Sequence, residues 1–399
     1  MTVSLSRRPQ TSLEYPPIGN YEILAKLATG GMGEVYLAKQ RGPVAFSRNV
    51  VLKKLHPDHT REPQFVAMFL NEAQISANLV HSNIVHVYEL FEEGSGYVLA
   101  MEYVRGGTVL RLLRAASKAG RALPLGPALR IAIAVAEALH YAYTTPDEHG
   151  MPRHVIHRDV SPSNVLIGYD GRVKLADFGV AKALDSEMTQ GTSIKGKYGY
   201  LSPEQVRCKP LDNRSDIFSL GILLWEMTTG QALFRRENDV AMMYAVVEEP
   251  IQRPSEVVPD YAPEVEAVVM KALERDREAR YSTALELADE LRRIAHERGL
   301  DIEAGALAEL VSATIPDDQV AFGRIGTEEE TPRPSRPRAR TLLTGDWSDW
   351  SEAGSYASVE ISPTRQPAPK ASRGPVVVTT LLMIALTIAF WAWVVPAVT

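Results

Sequence analysis

The sequence predicts an α+β fold in two lobes, strand-rich first and helical second, followed by a polar tether and one C-terminal apolar helix. Three observations carry this. Short alternating or apolar runs crowd the chain before Tyr103, longer helical stretches follow as far as Arg293, and a charge-free run of 20 residues lies near the end. Strands that precede helices, rather than alternating with them, point to two lobes and away from a regular βαβ sheet. At 399 residues the chain has room for such a domain with appendages.

Strands are expected at Glu34–Lys39, Asn49–Lys54, Ile84–Glu89 and Gly96–Tyr103. Phe65, Phe69, Ile75 and Leu79 recur at roughly helical spacing and predict a helix over Phe65–Leu79. Leu125–Tyr143 is apolar enough for a helix buried on several sides. Further helices are expected at Ser215–Thr229, Val240–Val247, Pro263–Leu273 and Ser282–Arg293, closing a domain over residues 21–293. Residues 1–20 read as a flexible leader without an apolar signal segment. Residues 294–326 read as an extension whose Ile302–Val311 forms a helix packed on the domain.

Residues 327–375 carry EEETPRPSRPRAR and SPTRQPAPK, whose prolines block a helix and favour extended, solvated chain. Val376–Val395 then offers about 30 Å of helix, the thickness of a hydrocarbon core. Trp391 and Trp393 sit near one end, where indoles favour the interface. Arg365, Lys370 and Arg373 precede this span and no Lys or Arg follows it in the 396–399 tail. The expectation is a single-pass anchor in the cell membrane, with the globular domain on the cytoplasmic side. Signals would then enter through cytoplasmic partners, the helix or self-association.

Composition narrows the function classes. With 45% apolar and 23% charged residues the chain is globular in character. A net charge of -6 gives no reason to expect nucleic acid as a partner. The single cysteine, Cys208, excludes an internal disulfide framework and any multi-cysteine metal site.

The polar residues with chemistry form an ordered series. Leu27-Ala28-Thr29-Gly30-Gly31-Met32-Gly33-Glu34-Val35 is a glycine-rich turn between strands, where backbone amides can approach phosphates; a tight hairpin is the plainer reading. Lys53 stands in an apolar strand pattern and needs a charged partner, and Glu72 on the next helix is a suitable one. That pair would aim Lys53 at the α- and β-phosphates, although an ordinary surface pair is equally compatible with the spacing. In the polar loop HRDVSPSN, Asp159 can orient a substrate hydroxyl and Asn164 can give a neutral oxygen to Mg2+. Asp177, in Asp177-Phe178-Gly179, adds a carboxylate beside a flexible glycine. Magnesium takes hard oxygen ligands and borrows others from phosphates, so the whole series is a phosphoryl-transfer set.

The ordered motifs ATGGMGEV, Lys53, Glu72, MEYV, HRDVSPSN, DFG, SPE, SDIFSLG and Arg280 resemble those of the eukaryotic-type protein kinases, especially membrane-tethered bacterial serine/threonine kinases. The resemblance implies the two-lobed protein-kinase fold, with ATP and Mg2+ (or Mn2+) in the cleft and protein hydroxyls as acceptors. It implies that Leu27, Ala28, Gly30, Gly31, Gly33 and Val35 cover the nucleotide. Met101 resembles the gatekeeper, and Glu102–Val104 the hinge that contacts adenine. Glu204 would pair with Arg280, and Asp216 would support the catalytic loop. Activation-segment phosphorylation, with Arg158 as the grip, is expected at Thr189, Thr192 or Ser193.

Three positions depart from the family pattern. Ala28 replaces the first loop glycine, which is tolerable at negative φ. Ser161 stands where serine/threonine kinases usually carry a lysine, and Lys197 where they carry a threonine. The exchange looks reciprocal, with Lys197 supplying the γ-phosphate contact and Ser161 the hydroxyl. The competing readings are a pseudokinase scaffold, prompted by that exchange, and a small-molecule phosphotransferase, which the SPE segment, Asp216 and Arg280 disfavour.

Overall fold

Alternating side chains in the first part of the domain close into one antiparallel sheet. The computed structural model describes residues 15–29, 33–42, 47–94, 96–178 and 197–315. Strands β1 (Tyr21–Thr29), β2 (Gly33–Arg41), β3 (Ser47–Leu55), β4 (Val87–Glu93) and β5 (Gly96–Glu102) lie in the order β1-β2-β3-β5-β4. Helix α1 (Pro63–Ala77) crosses between β3 and β4.

Period-2 alternation gives the sheet two different faces. Tyr36, Ala38, Val50, Leu52, Val98 and Ala100 pack together with Tyr21 and Ile23 in one apolar cluster. Leu55, Val87 and Leu99 pack in a second with Phe69 and Ala73 of α1. The chain before β1 belongs to the first: Ile18 is buried in it, and Tyr15 stacks edge-on against Tyr36 at 6.0 Å. The leader expected over 1–20 is therefore packed structure from Tyr15 onward.

The second lobe is helical. It contains α2 (Val109–Lys118), α3 (Leu125–Thr144), the short α4 (Pro203–Val206), α5 (Asn213–Thr229), α6 (Asp239–Val247), α7 (Pro263–Ala272), α8 (Ala284–Glu297) and α9 (Ala304–Thr314). Strands β6 (Gly106–Thr108), β7 (Val165–Gly168) and β8 (Val173–Leu175) form a small sheet beside the interlobe cleft. Helices α3 and α5 are the centre of the core. Every residue of α5 from Ser215 to Thr229 is buried, as befits a helix enclosed all round. Asp212 caps its N-terminus and Gly230, at φ +72°, ends it in the left-handed conformation.

Two expected elements shift. The strand expected from Ile84 begins at Val87, because Ile84 bridges Leu175 in β8 and joins the helical lobe's core. Helix α8 runs to Glu297, past the expected domain boundary. The remaining helix ends agree to within a few residues, the usual fraying range. Among the described residues no helix is long and apolar enough to cross a membrane. Val376–Val395, the linker and most of the leader lie outside the described residues, as do Gly30, Gly31, Gly179, Thr189, Thr192 and Ser193.

Candidate active site

Strand register places the cleft-facing residues side by side. Ala28 pairs with Val35, Val35 with Lys53, and Lys53 with Leu99, so one row of partners crosses four strands. Val51, two residues before Lys53, pairs with Met101 and brings it to the same face. Ala28 is not among the described residues with positive φ, so its methyl is accommodated, as the sequence requires. Gly33 has a local reason to be glycine: a Cβ there would lie 2.1 Å from the Lys54 carbonyl oxygen.

Lys53 joins the two lobes. Its Nζ donates to Glu72 Oε1 on α1 at 2.5 Å and to Asp177 Oδ1 at 3.0 Å. Burial would lower the Lys53 ammonium, but the Asp177 and Glu72 carboxylates outweigh it and hold it well above its ordinary value. The pairing of Lys53 with Glu72 expected from sequence is thus formed.

The loop between α3 and β7 is held from below by α5. Asp216 is buried there and accepts from the backbone N–H groups of His157 (2.7 Å) and Arg158 (2.8 Å). Burial pushes its carboxyl up to about 7, against the pull of those two donors. His157 receives the Asp159 N–H at Nδ1, so its ring proton resides on Nε2, 3.0 Å from the Ala176 carbonyl. Phe178 packs on the same ring, with centroids 4.7 Å apart. Arg158 and Asp177 have φ +66° and +57°, a strained pair flanking the site.

Asn164 donates its amide to the Asp159 carbonyl (2.8 Å) and carboxylate (3.0 Å). That leaves the Asn164 carbonyl oxygen as the atom able to ligate a cation. With the half-exposed Asp177 carboxylate it forms a neutral-plus-anionic oxygen set, which fits a hard divalent ion that completes its shell from phosphates. Ser161 is buried with its hydroxyl 2.9 Å from that of Ser163. Lys197 begins a short 3-10 turn, Lys197–Tyr200, and its side chain lies outside the described residues.

Several site contacts escape a reading of the sequence. Glu102, at the end of β5, is held by Lys174 of β8 at 2.7 Å, across the cleft's back wall. Gln205 donates to the Arg158 carbonyl at 2.9 Å, while Ser202 and Gln205 form a capping box on α4. The S-x-x-Q spacing was the available signal for that box. Glu204 accepts a bidentate pair from Arg280, at 2.7 and 2.9 Å, as the sequence leads one to expect.

Tyr200 donates to Glu226 at 2.5 Å in full burial, and the Leu233 N–H donates to the same carboxyl. Burial pushes Glu226 up to about 8, outweighing both hydrogen bonds. A folded-state value above the unfolded one means a stabilising contribution that is complete in acid and lost as pH rises through about 8. Glu226→Gln should therefore flatten the decline in Tm between pH 5 and pH 8 relative to wild type. Parallel melting curves for the two proteins would contradict this assignment.

The family model for the protein kinase domain matches residues 21–291. The chain belongs to the protein kinase family. The chain is 41% identical over 328 residues to the tyrosine-protein kinase MasK of Myxococcus xanthus, covering 82% of this chain and 49% of that one. It is 38% identical to the serine/threonine-protein kinase PknB of Mycolicibacterium smegmatis, over 69% of this chain and 43% of that one. The chain spans about half the length of the curated relatives it matches, or somewhat less. Among solved structures, a PknI kinase domain of Mycobacterium tuberculosis superposes with a TM-score of 0.54 at 27% identity, covering 70% of this chain and 98% of that one. The two-lobed fold and the family agree with the expectation from sequence, and family membership implies ATP and a divalent metal.

Proposed function

We propose that the chain is a membrane-held kinase that transfers the γ-phosphate of ATP to serine and threonine hydroxyls of proteins, itself included, with Mg2+ as the metal and Mn2+ able to substitute. The observation that carries this reading is Lys53, bonded at once to Glu72 in one lobe and Asp177 in the other. In the proposed reaction Lys53 and the glycine-turn amides hold the phosphates. Asp159 orients the acceptor hydroxyl and takes its proton on a carboxylate oxygen, while Asn164 fixes the Asp159 side chain. Bound at Asp177 and Asn164, the metal would neutralise charge on the transferring phosphate. Positioning and electrostatics do most of the remaining work.

Serine/threonine preference is supported by the names of most of the relatives, among them PknB and the PrkC of Bacillus subtilis. A tyrosine acceptor is the second reading, favoured by the similarity to MasK and by Ser161 in place of the usual lysine. Labelling protein substrates with radioactive ATP, then hydrolysing to phosphoamino acids, separates the readings. Phosphoserine and phosphothreonine are expected. Label on tyrosine alone would replace the reading, and label no higher than an Asp159→Asn blank would favour a scaffold.

The Ser161 and Lys197 exchange is proposed to conserve the positive charge near the γ-phosphate, with Lys197 making the contact. Lys197→Ala should then lower kcat at saturating ATP by about tenfold or more, in the range of a lost charge-stabilising contact; an unchanged kcat would remove Lys197 from the site. The 376–395 span is proposed as the anchor, and protease protection of its preceding segment in inside-out vesicles would reverse the assigned orientation.

A further inference from the structure

The family match ends at residue 291, yet the chain from Leu300 to Ile315 is built into the helical lobe. Leu307 and Val311 of α9 are fully buried in its core, and Ile315 is 2% exposed. Arg130 of α3 donates to the Ile302 carbonyl at 2.8 Å. Three glycines distant in sequence leave room for this stretch. A Cβ on Gly126 would lie 2.2 Å from the Asp301 carbonyl oxygen, and one on Gly171 would lie 2.0 Å from that of Ala304. One on Gly107 would lie 2.6 Å from Ile315 Cδ1.

Gly107 is the informative one. It lies in β6, three residues beyond Val104 at the end of the expected hinge, and pairs with Ile167 of β7. On the other side, Tyr169 donates its hydroxyl to the Ile315 carbonyl at 3.3 Å. The Tyr169 backbone N–H donates to the Arg105 carbonyl at 3.0 Å. The end of the extension thus touches β6, the strand that follows the hinge, directly through Gly107, and reaches Arg105 beside the hinge through Tyr169.

We propose that residues 300–315 are a clamp on the hinge, in which Ile315 and Tyr169 are positioning residues for nucleotide binding. The clamp rests on the reading that ATP binds at Glu102–Val104. It fixes where β6 leaves the hinge, and so sets the backbone groups that meet adenine.

Full-length Gly107→Ala, Ile315→Ala and the double variant Gly107→Ala/Ile315→Val test this beside wild type. The measurements are ATP affinity by calorimetry, KM for ATP, kcat and Tm. Gly107→Ala forces a methyl into Ile315, and Ile315→Ala opens a gap at the same contact. Each is expected to weaken ATP binding about three- to tenfold, the size of coupling transmitted through one contact, with kcat near wild type. The double variant removes the clashing Cδ1 and should restore wild-type affinity. Should Gly107→Ala fail to fold, Ile315→Ala carries the same comparison. A purely structural role would lower Tm and leave the ATP affinity of folded protein unchanged, and equal affinities across the variants overturn the clamp. A wild type that binds ATP but transfers no phosphate overturns the catalytic reading alone, and the clamp is then judged on affinity.

Discussion

Asp177→Asn is expected to reduce kcat by on the order of 10³-fold while leaving the domain folded. Unlike an amide of the same shape, the carboxylate brings a negative charge to two functions. It is the anionic half of the proposed metal-ligand pair with Asn164, and it is the second partner of the Lys53 ammonium, at 3.0 Å. The other partner, Glu72, stays in place at 2.5 Å, so the lysine is not left buried without charge compensation. Asparagine is the right replacement because position 177 has φ +57°, a conformation that asparagine tolerates better than most L residues. Steady-state kcat at saturating ATP and metal, alongside Tm, checks both halves. A variant with kcat within tenfold of wild type would remove Asp177 from the metal site.

Arg280→Met is expected to destabilise the domain by about 3–5 kcal/mol, the range for removing one partner of a buried ion pair. Arg280 has no exposed side-chain surface and Glu204 has 7%. The guanidinium uses its donors fully: two on Glu204, and the others on the carbonyls of Arg214, Glu274 and Arg275. Its plane also lies over Phe218, 4.8 Å from the ring centroid. Lysine reproduces neither the fork nor the stacking, so Arg280→Lys should recover little. Burial alone would raise the Glu204 carboxyl, but the Arg280 contacts and the Ser215 hydroxyl outweigh it and hold it below the ordinary range. A lowered folded-state value stabilises above the unfolded value and is lost as pH falls through the folded one, so this pair weakens in acid. Urea unfolding of the two variants near neutral pH measures the loss directly. A change below about 1 kcal/mol would show that neither the ion pair nor the guanidinium's carbonyl contacts fix this corner.

The fold class was legible because the helices are long and the N-lobe strands alternate cleanly. Helix α5 could be read from its apolar density, and α1 from Phe65, Phe69 and Ile75. Reading by apolar run length passes over α2, although Val109, Leu112, Leu113 and Ala116 have helical spacing and are its buried face. The short strands β6 to β8 are too brief to show a period at all. Ile84 misleads because an apolar residue beside a strand carries no sign of which lobe it will join. Within the site, Lys53, Glu72, Glu204 and Arg280 could be paired from motif alone. Lys174 with Glu102, and Tyr200 with Glu226, could not be: each contact joins distant segments and depends on how the chain folds back.

Helix α1 is attached lightly for an element that carries half of the Lys53 contact. Its buried residues are Phe69, Glu72, Ala73 and Ser76, with half-buried Val66 packed beside Phe69 and half-buried Ile75 against the helical lobe's core. Swinging α1 outward forfeits the Lys53–Glu72 contact together with this apolar seam. Its seating therefore answers to a phosphate arriving nearby and to the occupancy of the Asp177 side as well as to that seam. The rest of the domain can remain rigid while this one helix behaves as a charge-operated latch, with amide exchange in α1 running ahead of exchange in α5.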